Sequence, residues 1–190
     1  MESYLQSARK QFEYYKLLGE KTFSQVAAEQ LFTVPGPESN SIAVIVQHLH
    51  GNMLSRWTDF LTSDGEKEWR KRDEEFEEIL KDSTELKRRW DEGWACLFTA
   101  LNSLEEKDLT KTVYIRNQGH SVVDAINRQL CHYSYHVGQI VYIGKLMAAE
   151  KWRSLSIPRN QSGSYNADKF SQEKGVRHFT DEFLKSKENS

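Results

Sequence analysis

Two histidines, His132 and His136, stand one turn apart in the stretch LCHYSYHVGQIVY, whose other residues are mostly apolar or aromatic. Residues four apart on a helix share one face, with Cβ atoms roughly 5–6 Å apart. Two imidazoles at this spacing can bind one zinc ion or a similar transition metal. The alternative is a pair of core histidines satisfied by neighbours. Because burying an unpartnered imidazole costs on the order of 1–3 kcal/mol, either a metal or hydrogen-bonding groups must accompany them.

A third candidate ligand lies in the segment IAVIVQHLHGNMLSRW, which contains His48 and His50. Because these histidines are two residues apart, they point to nearly opposite sides of a helix, and only one can face the core. His48 shares a stripe with apolar residues, whereas His50 is interpreted as peripheral. A site formed by His48, His132 and His136 leaves coordination positions open, which is typical of catalytic rather than structural metal sites. Alternatively, His48 lies on the helix surface and no such site exists.

Four amphipathic helices must position these side chains. Apolar residues recur at helical spacing in four segments, with charged residues on the opposite faces. The predicted helices cover approximately residues 4–27, 42–62, 83–104 and 121–150. Asn40 or Ser41 is the expected N-cap of the second helix. The segment KTVYIRNQGHS is expected to be an extended or hairpin-like crossover. Four such helices in one domain predict an all-α fold, a four-helix bundle.

Composition narrows the class of protein. The 190 residues carry a net charge of −2, so a strong attraction to nucleic acid or anionic membranes is not expected. No apolar stretch is long enough to span a bilayer, and the N-terminus does not resemble a signal peptide. Cys96 and Cys131 lie in apolar helical contexts and are predicted to be buried thiols in a reducing cytoplasm. A cytoplasmic protein with neither a nucleic-acid nor a membrane partner is therefore expected.

The histidine motifs resemble those of the DinB/YfiT-like superfamily of bacterial proteins. Such proteins typically carry one histidine on the second helix and an H-x-x-x-H-x-G-Q pattern on the last bundle helix. His132, His136, Gly138 and Gln139 match that pattern completely, and His48 falls where the first ligand of the family is expected.

The resemblance implies a four-helix bundle with long crossover connections over residues 1–150, often dimeric. Residues 151–190 are interpreted as a short C-terminal extension that packs on the same domain. The resemblance also implies that the three histidines bind a divalent metal such as Zn, Ni or Fe. Some relatives resemble S-transferases that use thiols such as bacillithiol. The implied function is a metal-dependent thiol S-transferase or hydrolase, with a small-molecule substrate and a low-molecular-weight thiol as cofactor. The alternative is a non-catalytic, metal-braced dimeric bundle in stress response or sensing.

Further polar residues near the predicted ligands have two interpretations each. Gln139 either orients a ligand or is an ordinary helix-surface amide. Asn52 either supports a ligand or makes a structural hydrogen bond. Arg56 and Arg128 either bind a carboxylate of a thiol cofactor or are solvated or paired. The acidic run RDEEFEEILKD is interpreted as a solvated face; the alternative is that its Asp and Glu side chains approach the metal if the loop folds over the site.

Overall fold

The computed structural model describes residues 3–77 and 79–185. Their helices and strands are, in chain order, α1 (Tyr4–Phe23), α2 (Ile42–Trp57), α3 (Ser83–Ser103), β1 (Thr112–Ile115), β2 (Gln118–Ser121), α4 (Val122–Ala148), α5 (Ser162–Ser171) and α6 (Asp181–Leu184). The fold is mostly helical, and the sheet in the described ranges is a single antiparallel hairpin. Within these ranges, no helix combines the length and hydropathy needed to cross a lipid bilayer.

Helices α1 to α4 pack around one hydrophobic core. α2 lies along α3 and also contacts α4, while α1 lies along α4 and also contacts α3. At the centre, the rings of Phe12, Trp94 and Tyr133 contact one another with centroid separations of 5.9 to 6.4 Å. Aromatic pairs of this kind contribute about 0.5–1.5 kcal/mol beyond their buried area. These rings therefore hold α4 firmly against α1 and α3, directly behind the histidine pair.

The two helices that carry the histidines each begin directly after a serine that caps the helix. Ser41 caps α2, since its hydroxyl accepts a hydrogen bond from the Val44 backbone N–H, and Ser121 caps α4 by accepting from the Asp124 N–H. These bonds satisfy N–H groups that have no partner within the helix. Of the two predicted caps of α2, Ser41 is therefore the one that the structure uses. The caps fix where the histidine-bearing helices begin and hence which faces carry the histidines.

Helices α1 and α2 end earlier than their hydrophobic patterns predicted. The predicted ends were residues 27 and 62, whereas the observed ends are Phe23 and Trp57. After Trp57, Thr58 adopts extended backbone and Asp59 has a φ of 50°, so the chain turns away from the helix axis. Ser24 bonds the carbonyl oxygen of Lys21 with its hydroxyl, which competes with helix continuation. The spacing of apolar residues carries no information about such turns and side-chain hydrogen bonds, so it could not predict where these helices end.

The segment predicted to be extended forms the β1–β2 hairpin. Arg116 and Asn117 occupy its two-residue turn with φ values of 56° and 59°, which is the left-handed backbone that such turns require. The Asp64 carboxylate accepts hydrogen bonds from both turn N–H groups at 2.8 Å. Burial alone would raise the pKa of Asp64, but its hydrogen bonds to backbone N–H groups lower it below the ordinary value. The hairpin tip is therefore fixed to the connection that follows α2.

The C-terminal segment returns to α1. Lys10 forms an ion pair with Asp181 at 2.7 Å, and the ring of Tyr14 contacts Phe183 with a centroid separation of 5.1 Å. α6 therefore packs on α1. The division into residues 1–150 and 151–190 stays a prediction, and residues 186–190 of the predicted extension lie outside the described residues.

The two cysteines are free, and they differ in exposure. Cys96 is partly buried between α2 and α3, and burial raises the pKa of its thiol. Cys131 is exposed, so the prediction of a buried thiol is wrong there. It lies on an outward stripe of α4 that also carries the exposed Tyr135 and Tyr142. Apolar and aromatic residues occur on more than one face of α4, so residue type alone did not identify the buried side.

Candidate metal centre

Three histidine side chains converge between α2 and α4. His48 comes from α2, and His132 and His136 come from successive turns of α4. One ring nitrogen of each lies within 4.8 Å of those of the other two, and the Nε2 atoms of His48 and His132 are 3.3 Å apart. Two nitrogens bound to one tetrahedral zinc, each about 2.0–2.1 Å from the ion, would lie roughly 3.3 Å apart. The spacing of the His48–His132 pair therefore fits a divalent ion, and His136 offers a third donor nitrogen within 4.8 Å of the other two.

Hydrogen bonds orient two of the three rings. The Nδ1 of His48 lies 2.9 Å from Glu75 Oε2, and the Nδ1 of His136 lies 2.8 Å from Gln139 Oε1. Because these oxygens can only accept, Nδ1 carries the proton and donates in both rings. The Nε2 of each ring is then left with a lone pair. Histidine ligands of metals are held in this way by oxygen acceptors behind the ring.

Glu75 is a residue of the candidate site that the preferred interpretation of the sequence missed. It belongs to the acidic run interpreted as solvated, yet it is only 7% exposed. A short 3₁₀ turn over Asp73–Phe76 directs its carboxylate against α2. Gly51 makes the approach possible, since a Cβ at that position would overlap Glu75 Oε1. The signal available in the sequence was Gly51, which follows the candidate ligand His48 by three residues on the same helix. Glu78, another residue of the acidic run, lies outside the described residues.

Arg70 neutralises the buried carboxylate. Its Nε donates to Glu75 Oε1 at 2.7 Å and its Nη2 to Oε2 at 2.9 Å, a bidentate pair. Burial alone would raise the pKa of Glu75, but the hydrogen bonds from Arg70 and His48 lower it below the ordinary value. Glu75 is therefore ionised at neutral pH. A continuous chain of hydrogen bonds runs from Arg70 through Glu75 to His48.

A cavity of about 340 Å³ opens beside the three rings. Its lining residues are His48, Asn52, Arg56, Arg70, Arg72, Phe76, Arg116, Arg128, Gln129, His132 and His136. This volume lies at the lower end of the range typical of small-molecule sites. Since the imidazoles form part of the wall, an ion bound to them would have coordination positions on the cavity side.

The contacts of the other candidate residues distinguish between the two roles considered for each. These residues are Asn52, Gln139, Arg56 and Arg128. Asn52 accepts a hydrogen bond from the buried Tyr133 hydroxyl at 3.0 Å, and that hydroxyl accepts one from Trp57 at 3.0 Å. Asn52 therefore has the structural role. Gln139 holds His136 in place, as described above. Arg56 is buried and donates to Glu66 at 3.0 Å, whereas Arg128 is exposed at the rim of the cavity.

Burial keeps two of the imidazoles neutral. The pKa of His132 is lowered to about 3, first by burial and then by electrostatic interaction with His136, His48, Arg56 and Arg70, which disfavours a proton on this ring. The pKa of His136 is lowered to about 4 by burial, which outweighs the opposing effect of its hydrogen bond to Gln139. Neutral imidazole is the form that binds metals. Both rings are therefore available to an ion at neutral pH without losing a proton.

The same shifts predict how pH affects the metal-free protein. A histidine in the unfolded chain has a pKa near 6.5, so it becomes protonated below that pH. In the folded protein, His132 and His136 stay neutral until the pH is much lower. The free energy of unfolding should therefore decrease as the pH falls from 6.5 toward 4.5. We expect the Tm of chelator-treated protein to fall by several degrees across this range, as measured by calorimetry.

A variant carrying His132→Gln and His136→Gln is the control for this pH effect. Its Tm should depend less on pH between 6.5 and 4.5. Some slope will remain, because burial also lowers the pKa of His50. Glu66 and Glu75 add to the slope mainly near and below pH 4.5, where the unfolded carboxyl groups take up protons before the folded ones do. Identical slopes for variant and wild type would show that the two rings are readily protonated in the folded state.

These features define a mostly helical protein with three convergent histidines on the wall of an open cavity. The chain belongs to the DUF1572 family, described as a protein of unknown function, whose family model matches residues 1–161. That match includes α1 to α4, the hairpin and all three histidines. Neither the curated proteins nor the solved structures yielded a match. The function is therefore argued from the geometry of the site.

Proposed function

We propose that this protein is a divalent-metal-dependent enzyme of the DinB/YfiT-like type, in which His48, His132 and His136 hold the ion. In this proposal the four long helices form a four-helix bundle with long crossover connections. The observation that carries the proposal is the meeting of three imidazoles on the wall of a cavity large enough for a small molecule. Membership of DUF1572 and the H-x-x-x-H-x-G-Q pattern support it.

The proposed reaction is hydrolysis or thiol S-transfer on a small-molecule substrate. A bound divalent ion such as Zn, Ni or Fe would activate water or a low-molecular-weight thiol as a nucleophile near neutral pH. The residues of the chain supply the positioning: Glu75 and Gln139 orient two rings, and Arg70 keeps Glu75 in place. The cavity side of the cluster is where the nucleophile and substrate would meet.

Existing contacts between α2 and α4 argue against the alternative of a purely bracing ion. Close to the cluster, the buried hydroxyl of Tyr133 bonds both Asn52 and Trp57, which joins the two helices. The same tyrosine packs on Phe12 and Trp94 in the core. Since these helices are already held together by packing and hydrogen bonds, an open metal site is better explained by chemistry than by bracing.

Metal binding is expected to raise the thermal stability of the protein. A ligand that binds only the folded state stabilises it by about 4 kcal/mol at a free concentration 1,000 times its Kd. For a chain of this length that corresponds to an increase in Tm of roughly 8–16 °C. Calorimetry of untagged, chelator-treated protein with and without added Zn, Ni or Fe measures the effect. The absence of a shift with all three metals would contradict the proposal.

An activity assay separates the enzyme from the brace. Metal-loaded protein is incubated with bacillithiol and monochlorobimane to detect S-transfer, and with a p-nitrophenyl ester to detect hydrolysis. The enzyme gives turnover that disappears on chelation and returns with metal. The non-catalytic alternative gives the increase in Tm without turnover in any arm.

We also propose that the protein is a cytoplasmic homodimer. The exposed stripe of α4 supports dimerisation, since Tyr135, Tyr142 and Leu146 are each more than half exposed on that helix. Two free cysteines, one of them exposed, are compatible with a reducing compartment.

A further inference from the structure

Five of the eleven residues that line the cavity beside the histidine cluster are arginines. They are Arg56, Arg70, Arg72, Arg116 and Arg128. None of the other lining residues is an aspartate or glutamate. We propose that this cavity binds a small molecule bearing about two negative charges, a phosphate monoester or a dicarboxylate. The inference deepens the proposed function and rests on it in one respect, because it assigns the anion to the substrate of the same site.

Two of the arginines form the buried wall of the cavity. Arg56 and Arg70 both contact Glu66 Oε2, at 3.0 and 3.3 Å, and Arg70 also holds Glu75. Burial lowers the pKa of Arg56, Glu66 raises it, and the nearby Arg70 lowers it further. Two guanidinium groups are thus held close together at fixed positions. Because Glu66 and Glu75 balance their two charges, these groups supply fixed hydrogen-bond donors in a partly desolvated wall, and the net positive charge comes from the other arginines.

The third arginine is positioned by the hairpin turn. Arg116 sits at the tip of the β1–β2 hairpin, which Asp64 fixes through the two turn N–H groups. Its Nη2 lies 3.2 Å from the same Glu66 oxygen. A single carboxylate, Glu66, therefore accepts from three guanidinium groups and cannot neutralise them all.

The remaining two arginines have donors to spare. The guanidinium of Arg72 lies 5.2 Å from the centroid of Phe76, whose ring stacks on His48, so the charge is held next to the histidine cluster. Its one ion pair in the described part of the chain is a 3.8 Å contact with the exposed Asp73. Arg128 contacts His120 at 3.1 Å and has no carboxylate partner among the described residues.

Charge balance sets the kind of ligand. The five guanidinium groups form ion pairs with three carboxylates, those of Glu66, Glu75 and the distant Asp73, and a fourth carboxylate, Asp64, lies near Arg56 and the Arg116 backbone, which leaves an excess of one to two positive charges. Planar guanidinium groups bind carboxylates and phosphates through paired hydrogen bonds. A phosphate monoester or a dicarboxylate carries about two negative charges and fits within 340 Å³. Its charged group would occupy the arginine side, which leaves its reactive group toward the histidines.

Titration calorimetry on chelator-treated protein, at constant ionic strength, tests the inference without requiring metal. The probes are inorganic phosphate, succinate and the neutral analogue succinamide. We expect phosphate or succinate to bind and succinamide not to bind. The double substitution Arg72→Gln and Arg128→Gln removes the two exposed charges, and it should weaken anion binding by at least about tenfold. The matched control is Arg88→Gln, an exposed arginine of α3 paired with Glu92, which should bind as the wild type does.

The outcomes are separable. Stronger binding of phosphate than succinate assigns a phosphate monoester, and the reverse assigns a dicarboxylate. Equal binding of succinate and succinamide, no binding of either anion, or an unchanged affinity in the double variant would overturn the inference. The Tm of the double variant should match that of the wild type, which shows that the fold is intact. Zinc titration of the same wild-type protein tests the proposed function separately, so anion binding without zinc binding would refute the metal site and retain the anion site.

Discussion

Replacing His48 by alanine is expected to abolish stoichiometric zinc binding. Only the pair on α4 would remain, and the α2 side of the site would lose the ring oriented by Glu75. Changes in residues that merely support a metal ligand weaken binding by about 10–100-fold, so removal of a ligand should exceed that. Elemental analysis of untagged protein, together with titration against a competing chelator, measures both the stoichiometry and the Kd.

His50→Ala is the matched control for that experiment. His50 lies two residues further on the same helix, and its Nε2 is 3.1 Å from Glu92 of α3, away from the cluster. Circular dichroism verifies that both variants remain folded. One zinc per chain in His48→Ala, bound as tightly as in the wild type, would refute the three-histidine site. An equal loss in His50→Ala would show that the effect comes from disturbing α2.

Glu75→Gln is expected to weaken zinc binding by about 10–100-fold. The single oxygen of glutamine can still accept hydrogen bonds from His48 Nδ1 and Arg70 Nη2, whereas its amide nitrogen cannot accept from Arg70 Nε. The substitution therefore removes the negative charge and one hydrogen bond, and it keeps the acceptor behind the His48 ring. The carboxylate behind the ring strengthens the electron donation of His48 to a metal. Titration against a chelator of known affinity measures the change in Kd. Glu74→Gln is the control, since Glu74 is exposed and pairs only with Lys71 in the described ion pairs.

Gly51→Ala tests the same contact from the opposite side. The added methyl group would overlap the Glu75 carboxylate, which must then move away from His48. A loss of zinc affinity similar to that of Glu75→Gln is expected, although every charge is retained. Wild-type affinity in both variants would show that Glu75 does not influence the metal site. A loss in only one of them would separate the contribution of charge from that of position.

The helices of this protein were largely predictable because each depends on nearby residues. Apolar residues repeat with the helical period in α1 to α4, and Ser41 and Ser121 cap α2 and α4. The ends of α1 and α2 were placed too late, since they depend on turns such as the one at Asp59. The extended or hairpin-like segment was recognisable from its β-branched and aromatic run, whereas the position of its turn at Arg116 and Asn117 was not predicted.

The surroundings of the three histidines were the unpredictable part. Glu75, Arg70 and Arg116 all lie in connections between the long helices, where no periodicity indicates which side chains point inward. The acidic run around Glu75 has the composition of a solvated surface, and most of its described residues are exposed. Only the pairing with His48 and Arg70 makes burial of this one carboxylate favourable.

The sequence by itself determined that His132 and His136 share a helix face, since residues four apart are neighbours on any α-helix. The tertiary structure alone decided that His48 meets His132 across 84 positions of the chain, and that Glu75 supports His48 across 27. Such approaches depend on how α2, α4 and the connection after α2 pack together. A helix and its caps depend on hydrogen bonds among a few neighbouring residues, so a short stretch of sequence is enough to predict them. The packing of distant segments depends on the whole core.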